Sequence, residues 1–475
     1  MLLLKVQNIE ISFGINLIFQ LDKLEVFNYD RIGIVGKNGG GKTTLLNILS
    51  GDLKPDSGSI KAFSEYSYLK QFNSLDDIND GFDNDENENL SGGELTKIFL
   101  ADALNKNTPL LFLDEPTSNL DISSIKMLEK QLLNYNGAVI LISHDRKLLA
   151  NICTRIIDIE NNKATVYDCG YDEFVEIKRM KAEREQFLYE AYNKERKRLI
   201  EAIGDVKSKS KSIKKTPKRM GNSEARLHKR EAGEKAEKID GAGKALQSRL
   251  ERLEAHEKPK KTRRIGIELK DSNICYRGKY IIEGENVHIA FGDRVLLDNA
   301  AFRIETGGKT VIIGDNGCGK TTLIRQILAR ENNIRLNAKK IAYYAQNLEI
   351  LDTDKTILEN VMYDSAFTEL EARNILGRLG IREDNVYKKA QNISGGEKVK
   401  VCFAKIFTHG ADLVILDEPT NYLDIDSAFA LEEIINEYNG TVLSVSHDRS
   451  FIENISDSII EIKNKSLNFI FKEIL

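Results

Sequence analysis

Two stretches of the chain share the pattern G-x-x-x-x-G-K-T: "GKNGGGKT" from Gly36 to Thr43 and "GDNGCGKT" from Gly314 to Thr321. Glycines at this spacing free successive backbone N–H groups to wrap a phosphate chain, and a helix starting just after them adds its positive end. Lys42 and Lys320 then reach the outer phosphates, while Thr43 and Thr321 offer a hydroxyl to Mg²⁺. Gly36, Asn38, Gly39, Gly41 and Thr44 complete one candidate cradle; Gly314, Asn316, Gly317, Gly319 and Thr322 complete the other. Downstream of each, an apolar run ends in two acids, Asp114-Glu115 and Asp417-Glu418. The aspartate can hold the metal ion and the glutamate can polarise an attacking water. Taken singly, these motifs are also a tight turn or a pair of surface acids. Their coincidence twice in one chain argues for hydrolysis at a bound phosphate chain.

The elements that must position these groups recur in the same order. "LSGGE" (90 to 94) returns as "ISGGE" (393 to 397), "LLFLDEPTSNLD" (110 to 121) as "LVILDEPTNYLD" (413 to 424), and "LISHDR" (141 to 146) as "SVSHDR" (444 to 449). The offset is 278 residues at the glycine loops and 303 at the other three pairs. An internal repeat this long marks two similar modules. Apolar strands alternating with helical patterns predict α/β domains with a largely parallel sheet. His144 and His447 each follow an apolar strand, 30 residues after the aspartate of the acid pair. A histidine in that place is either a structural group or a partner of the acids.

At 475 residues, with 41% hydrophobic and 30% charged side chains, the chain is long enough for two globular domains and a connector. No apolar run approaches the ~20 residues a membrane helix needs. The start, "MLLLKVQNIEISF", alternates like a strand and lacks the apolar core of a secretory signal. A cytoplasmic protein is expected. Five scattered cysteines without a CxxC pair argue against a disulfide framework and against a zinc site.

The net charge of −4 hides a division. Between Lys178 and Arg264 stand 28 lysines and arginines against 14 acids, leaving 41 basic and 59 acidic residues elsewhere. The stretch "KSKSKSIKKTPKRMGNSEARLHKR" (207 to 230) is the most cationic part. Charge of this kind is either a solvated helical face or the footprint of a polyanionic partner. Helix-favouring residues dominate the segment. Leu188, Tyr192, Leu199 and Ile203 form one stripe, broken by Glu195, and Leu246, Leu250 and Leu253 form another. We expect an antiparallel helical hairpin with its turn near Pro217, Gly221 and Asn222, each arm of about 30 residues extending about 45 Å.

With "SGGE" between loop and acidic strand, the chain resembles an ATP-binding cassette ATPase twice over, across nearly everything outside the hairpin. The resemblance implies two ATP sites and Mg²⁺, each ATP held by one cassette and capped by the SGGE segment of the other. Ser91, Gly92 and Gly93 would face Lys320; Ser394, Gly395 and Gly396 would face Lys42. It also implies that Gln71 and Gln346 watch the metal and water, that His144 and His447 are switch histidines, and that Glu115 and Glu418 are the bases. Phe13 and Phe291 would stack on adenine; as residues beside strands they are equally read as core. From Gln71 to Ser91 is 20 residues, against 48 from Gln346 to Ser394. The first cassette therefore has a reduced helical lobe, and its acidic "SLDDINDGFDNDENEN" (74 to 89) leaves no room for an arm domain.

Two cassettes fused through a charged hairpin resemble the ABC-F group, and most closely its bacterial antibiotic-resistance members. The expected domains are 1–177, the first cassette; 178–264, the basic hairpin; and 265–475, the second cassette. The resemblance implies a monomer with its cassettes paired within the chain, bound to the 70S ribosome near the tRNA exit site, with no membrane or DNA partner. Lys207, Lys209, Lys211, Lys214, Lys215, Lys218, Arg219, Arg226, Lys229 and Arg230 would meet ribosomal RNA as the hairpin reaches toward the peptidyl-transferase centre and tRNA. Met220 is either a neutral loop residue or one that nears the drug pocket. The implied task is displacement of macrolide-, lincosamide-, streptogramin- or pleuromutilin-type drugs. The alternatives are a translation factor that resolves stalled ribosomes without resistance, and the ATPase subunit of a transporter.

Overall fold

The computed structural model describes residues 1–70, 92–118, 120–213, 238–239, 241–253, 278–292, 294–345 and 351–471. The chain divides into two compact units, Met1–Phe174 together with Arg263–Leu475, and Val175–Thr262.

In the first unit, the opening hairpin β1 (Leu2–Phe13) and β2 (Asn16–Phe27) alternates buried and exposed residues, as a sheet with one covered face requires. β3 (Arg31–Gly36) is followed by α1 (Lys42–Ser50), β4 (Ser57–Ala62) and β5 (Tyr66–Leu69). Next come α2 (Gly92–Asn105), β6 (Leu110–Asp114), α3 (Ile122–Leu133), β7 (Ala138–Ile142), α4 (Arg146–Ile152), β8 (Arg155–Glu160) and β9 (Lys163–Tyr167). The strands form one sheet in the order β4-β1-β2-β9-β8-β3-β7-β6-β5. The run from β8 through β3, β7 and β6 to the edge strand β5 is parallel throughout. The fully buried "LLFLD" and "AVILI" runs of β6 and β7 suit strands covered on both faces. The flanking β4-β1-β2 part is antiparallel, so the sheet is more mixed than the alternation of elements predicts.

The second half repeats the plan. After α5 (Tyr171–Ile213) come β10 (Tyr280–Phe291), β11 (Arg294–Glu305), β12 (Lys309–Gly314), α6 (Lys320–Ala329), β13 (Ile334–Leu336) and β14 (Ile341–Tyr344). These precede helices α7 (Ile357–Met362), α8 (Glu369–Arg378) and α9 (Gly395–Thr408). β15 (Leu413–Asp417), α10 (Ile425–Glu437), β16 (Thr441–Val445), α11 (Arg449–Ile455), β17 (Ser458–Lys463) and β18 (Ser466–Phe471) complete it. Here the strands divide into β11-β10-β13 and β14-β15-β16-β12-β17-β18. The junction is nonetheless equivalent: Gln20 N–H donates to Asn162 O at 3.0 Å in the first half, and Asp298 N–H to Lys465 O at 3.0 Å in the second.

The helical lobe of the second half packs into the sheet's core through Ile375, Leu376, Leu379, Phe403 and Phe407. Capping boxes at Thr356, Thr368 and Ser394 start its helices. Buried Arg378 of α8 reaches Glu437 at 2.6 Å and Glu433 at 3.4 Å, which fixes the lobe to α10.

α5 (Tyr171–Ile213) runs 43 residues, about 65 Å at 1.5 Å per residue. It is longer than the arm read from the sequence, because its first turn is built from buried Tyr171 and Phe174, with Phe174 packed on both Tyr167 and Tyr171. In the second unit, residues 241–251 are also helical. Glu195, the residue that interrupts the apolar stripe, accepts a hydrogen bond from Arg249 at 3.0 Å. A Cβ on Gly243 would lie 3.2 Å from Val206, and Leu199 is buried.

Candidate active sites

Each glycine loop links the C-terminal end of a parallel strand to a helix, the edge at which open α/β sheets take ligands. Gly36 ends β3 with φ 147°, and a Cβ there would stand 2.7 Å from the Ile159 carbonyl oxygen. Gly41, at φ 94°, would place a Cβ 2.6 Å from an Ile18 methyl. Larger residues are excluded at these two positions. The lysines fold back over their own loops. Lys42 Nζ donates to the Gly36 and Lys37 carbonyls at 3.0 and 3.2 Å, and Lys320 Nζ to those of Gly314 and Asp315 at 2.9 and 3.0 Å. Burial holds the Lys42 ammonium below the usual lysine range. A nearly dehydrated cation held by carbonyls is well placed to receive an anion.

Asp114 and Asp417 end β6 and β15 and are almost fully buried. The Thr321 hydroxyl donates to Asp417 Oδ2 at 3.0 Å. Asp417 Oδ1 and both Asp114 oxygens have no hydrogen-bond partner. Such orphaned buried oxygens are hard donors that fit Mg²⁺, which takes one or two carboxylates and fills its shell from phosphate and water. Burial pushes the Asp114 carboxyl up to about 6 and Asp417 in the same direction.

Glu115 and Glu418 both adopt φ 50°, a left-handed conformation uncommon outside glycine and a recurrent mark of functional sites. Their N–H groups donate to Ile142 O and Val445 O at 3.0 and 2.9 Å, which pins them to the neighbouring strand. His144 Nε2 lies 3.2 Å from Glu115 Oε1, and His447 Nε2 lies 3.4 Å from Glu418 Oε1. Burial pushes Glu115 up to about 7 and Glu418 up to about 8, and drives His144 down to about 3 and His447 to about 4. The imidazoles are therefore neutral beside carboxyls that readily take a proton. The two histidines face the acids, so they are not plain core groups.

The halves meet head to tail. Asn38 Nδ2, in the first loop, donates to Tyr422 O at 2.8 Å, and a Cβ on Gly396 would stand 3.7 Å from the same nitrogen. The "ISGGE" start of α9 thus faces the first loop, with Ser394 and Glu397 joined in its capping box and Gly395 in the first turn. At the second loop, a cleft of about 950 Å³ is lined by Gly93 and Lys97 from one half and by Asn316, Gly317, Lys320 and Thr321 from the other. Gly92 opens α2 there. Phe13 is 56% and Phe291 76% exposed, which removes the core reading for each, and Phe291 lines the cleft.

Two residues have no role assigned from the sequence alone. Asp121 and Asp424 cap α3 and α10 and also stand at the seam. Ser123, bonded to Asp121, donates to Asp315 of the opposite loop at 3.3 Å, and the Asn316 N–H reaches Asp121 at 3.5 Å. The signal for them was the repeated last residue of "LDEPTSNLD" and "LDEPTNYLD". Gln71, Gln346 and Ser91 lie outside the described residues, as do Lys214, Lys215, Lys218, Arg219, Met220, Arg226, Lys229 and Arg230. Lys207, Lys209 and Lys211 fall in the last turns of α5, with Lys207 and Lys209 exposed. Among the described residues, no helix is long and apolar enough to cross a membrane.

The ABC transporter family model matches residues 20–76, 66–118 and 297–421. The ribosome protection protein VmlR of Bacillus subtilis is 34% identical over 457 residues, 92% of this chain and 82% of its own. The erythromycin resistance ATP-binding protein MsrA of Staphylococcus epidermidis is 31% identical over 477 residues, 94% of this chain and 95% of its own. A solved structure of an RNase-L inhibitor superposes with a TM-score of 0.64 at 20% identity, covering 98% of this chain and 90% of that one, which shows the shared fold. Paired glycine loops and acids facing one another across a seam, together with relatives this similar along nearly their full length, make the chain an ATP-hydrolysing member of the ABC-F family of ATP-binding cassette proteins.

Proposed function

We propose that this ATPase binds two Mg²⁺-ATP molecules at the seam, docks on the 70S ribosome in the ATP-bound state, dislodges a ribosome-targeting antibiotic there and leaves on hydrolysis. The 34% identity along 92% of the chain with a ribosome protection protein carries the reading, because that coverage leaves too little uncovered to omit the 87-residue basic linker.

In this reading each loop wraps one triphosphate. Lys42 or Lys320 leaves its carbonyls for the β and γ phosphates, and the SGGE segment of the opposite cassette closes over the γ phosphate. Thr43 with Asp114, and Thr321 with Asp417, would hold Mg²⁺, with Gln71 and Gln346 alongside; the ion neutralises charge on the phosphates. Glu115 and Glu418 take the proton of the attacking water, a role suited to carboxyls of raised affinity for protons. Neutral His144 and His447 hold the acid and the γ-phosphate edge in register. Phe13 and Phe291 offer exposed rings to adenine.

Between the cassettes, 178–264 forms an antiparallel hairpin, a reading supported by contacts that pair 195 with 249 and 206 with 243. Its tip, Lys207 to Arg230, enters ribosomal RNA near the peptidyl-transferase centre and gains affinity by releasing condensed counterions. Closure of the cassettes on ATP favours the docked shape, and hydrolysis releases it. A 1000-fold change in ribosome affinity requires closure to bias binding by about 4 kcal/mol. The protein then works in the cytoplasm, where ribosomes are.

Sedimentation tests this. The Glu115→Gln, Glu418→Gln chain with ATP should co-migrate with 70S particles and the nucleotide-free chain should not; equal association in the two conditions would remove the switch. Expression in a susceptible Gram-positive host should raise resistance to one of the four drug types, and a profile matching the empty vector would remove the protective role.

A further inference from the structure

Away from the nucleotide loops, the seam holds a second set of contacts between the cassettes. Arg146 opens α4, two residues after His144, and reaches across to Glu432 of α10 through both guanidinium ends, its Nη1 at 3.2 Å from Oε2. The pair is almost fully buried, and the Arg146 guanidinium lies over the Phe429 ring at 4.4 Å. The reverse contact is present 303 residues away in each partner. Arg449 opens α11, two residues after His447, and donates to Glu129 of α3 at 2.9 Å. Each glutamate is steadied by an asparagine of its own cassette, Asn454 on Glu432 at 2.9 Å and Asn151 on Glu129 at 2.6 Å.

The arginines also join the two histidine segments directly. Arg449 donates to Asp145, the neighbour of His144, at 3.4 Å, and Arg146 stands 3.8 Å from Asp448, the neighbour of His447. Each arginine therefore bridges the other cassette's post-strand helix and the other cassette's histidine loop. A buried bidentate guanidinium has little freedom to shift alone, so a displacement of one loop is passed to the other.

We propose that Arg146 and Arg449 are positioning residues that tie His144 to His447 across the seam, so that the two ATP sites turn over as a coupled pair. The proposal rests on the assignment of Glu115 and Glu418 as bases. The arms are unequal: Phe429 supports Arg146, whereas the residue at the equivalent place of the repeat, 303 positions earlier, is Lys126, and the Arg449–Glu129 pair is the more exposed. That more exposed pair is the one to cut without unfolding the seam.

The test compares total ATP turnover, per mole of folded chain, in four proteins: the parent, Glu115→Gln, Arg449→Ala, and Glu115→Gln with Arg449→Ala. Coupling predicts that Glu115→Gln lowers turnover about tenfold in the parent, but only about threefold once Arg449→Ala has cut one of the two ties. Arg449→Lys should keep an intermediate ratio, and Glu129→Ala should reproduce Arg449→Ala. A brace that only stabilises the fold would change yield and melting temperature but leave the ratio alone, and an unchanged ratio overturns the proposal. So does a parent in which Glu115→Gln costs only half the turnover. If Glu115→Gln has no effect in either background, the base assignment has failed instead.

Discussion

Glu418 is a carboxyl that the fold holds at a disadvantage, and the size of that disadvantage can be worked out. Burial raises it from 4.5 to about 8, while Lys320 nearby pulls the other way. Between those two values the folded chain keeps a proton that the unfolded chain releases, so stability is full below pH 4.5 and falls as pH rises toward 8. At 1.36 kcal/mol per unit, the loss is about 3 kcal/mol at pH 7 and about 5 kcal/mol above pH 8, as upper values. Glutamine has nearly the same shape and no proton to lose. The nucleotide-free Glu418→Gln protein should therefore match its parent near pH 4.5 and outlast it increasingly at pH 7 and 8.5. Thermal unfolding read by intrinsic tyrosine fluorescence would show it, at about 2–4 °C per kcal/mol for a domain of this size. The same glutamine should abolish hydrolysis at its own site, an instance of activity maintained at the expense of stability. A gap between the proteins that stays constant across this pH range, or that narrows as pH rises, would refute the reasoning.

Other outcomes follow from individual positions. Gly36→Ala forces a methyl to within 2.7 Å of the Ile159 carbonyl, so it should leave one nucleotide bound per chain in place of two in a fluorescent-ATP titration. Phe291→Ala should weaken ATP at the second site about tenfold, consistent with the worth of a stacked ring, whereas Phe291→Tyr should bind as the parent does. Replacing Lys214, Lys215, Lys218 and Arg219 with alanine should weaken ribosome binding and flatten its dependence on salt, since each lost phosphate contact lowers the log–log slope by about 0.7 to 0.9. An unaltered slope would place those four side chains away from RNA. Removing Mg²⁺ with a chelator should stop hydrolysis while Lys42 and Lys320 still retain nucleotide.

The parts of the site that were legible in the sequence are those where backbone chemistry leaves one choice. Gly36 and Gly41 had to be glycine because of φ and a close neighbour, and an Asp-Glu pair after an apolar strand has few uses. The seam was not legible. Arg146 and Glu432 are 286 residues apart, and neither residue type at that spacing signals a contact. The aspartates at 121 and 424 were hidden by a local duty, since an N-cap alone accounts for an aspartate at a helix start. The long helix begins before the expected boundary at Lys178 because Phe174, packed on Tyr167 and on Tyr171, anchors its first turn, and side chains that meet only in space leave no mark in the sequence. Glu195 breaks the apolar stripe because it pairs with Arg249, 54 residues away, a partner the stripe does not signal.

The cleft beside Lys320 takes its walls from residues as far apart in the chain as Gly93 and Thr321. Neither half of the polypeptide contains a finished catalytic pocket. A nonsense mutation or protease nick that discards either half would silence two active centres at once, and gene duplication alone could not restore them unless the two fragments found each other again. Selection acts here on an indivisible machine, and its two halves can change only together.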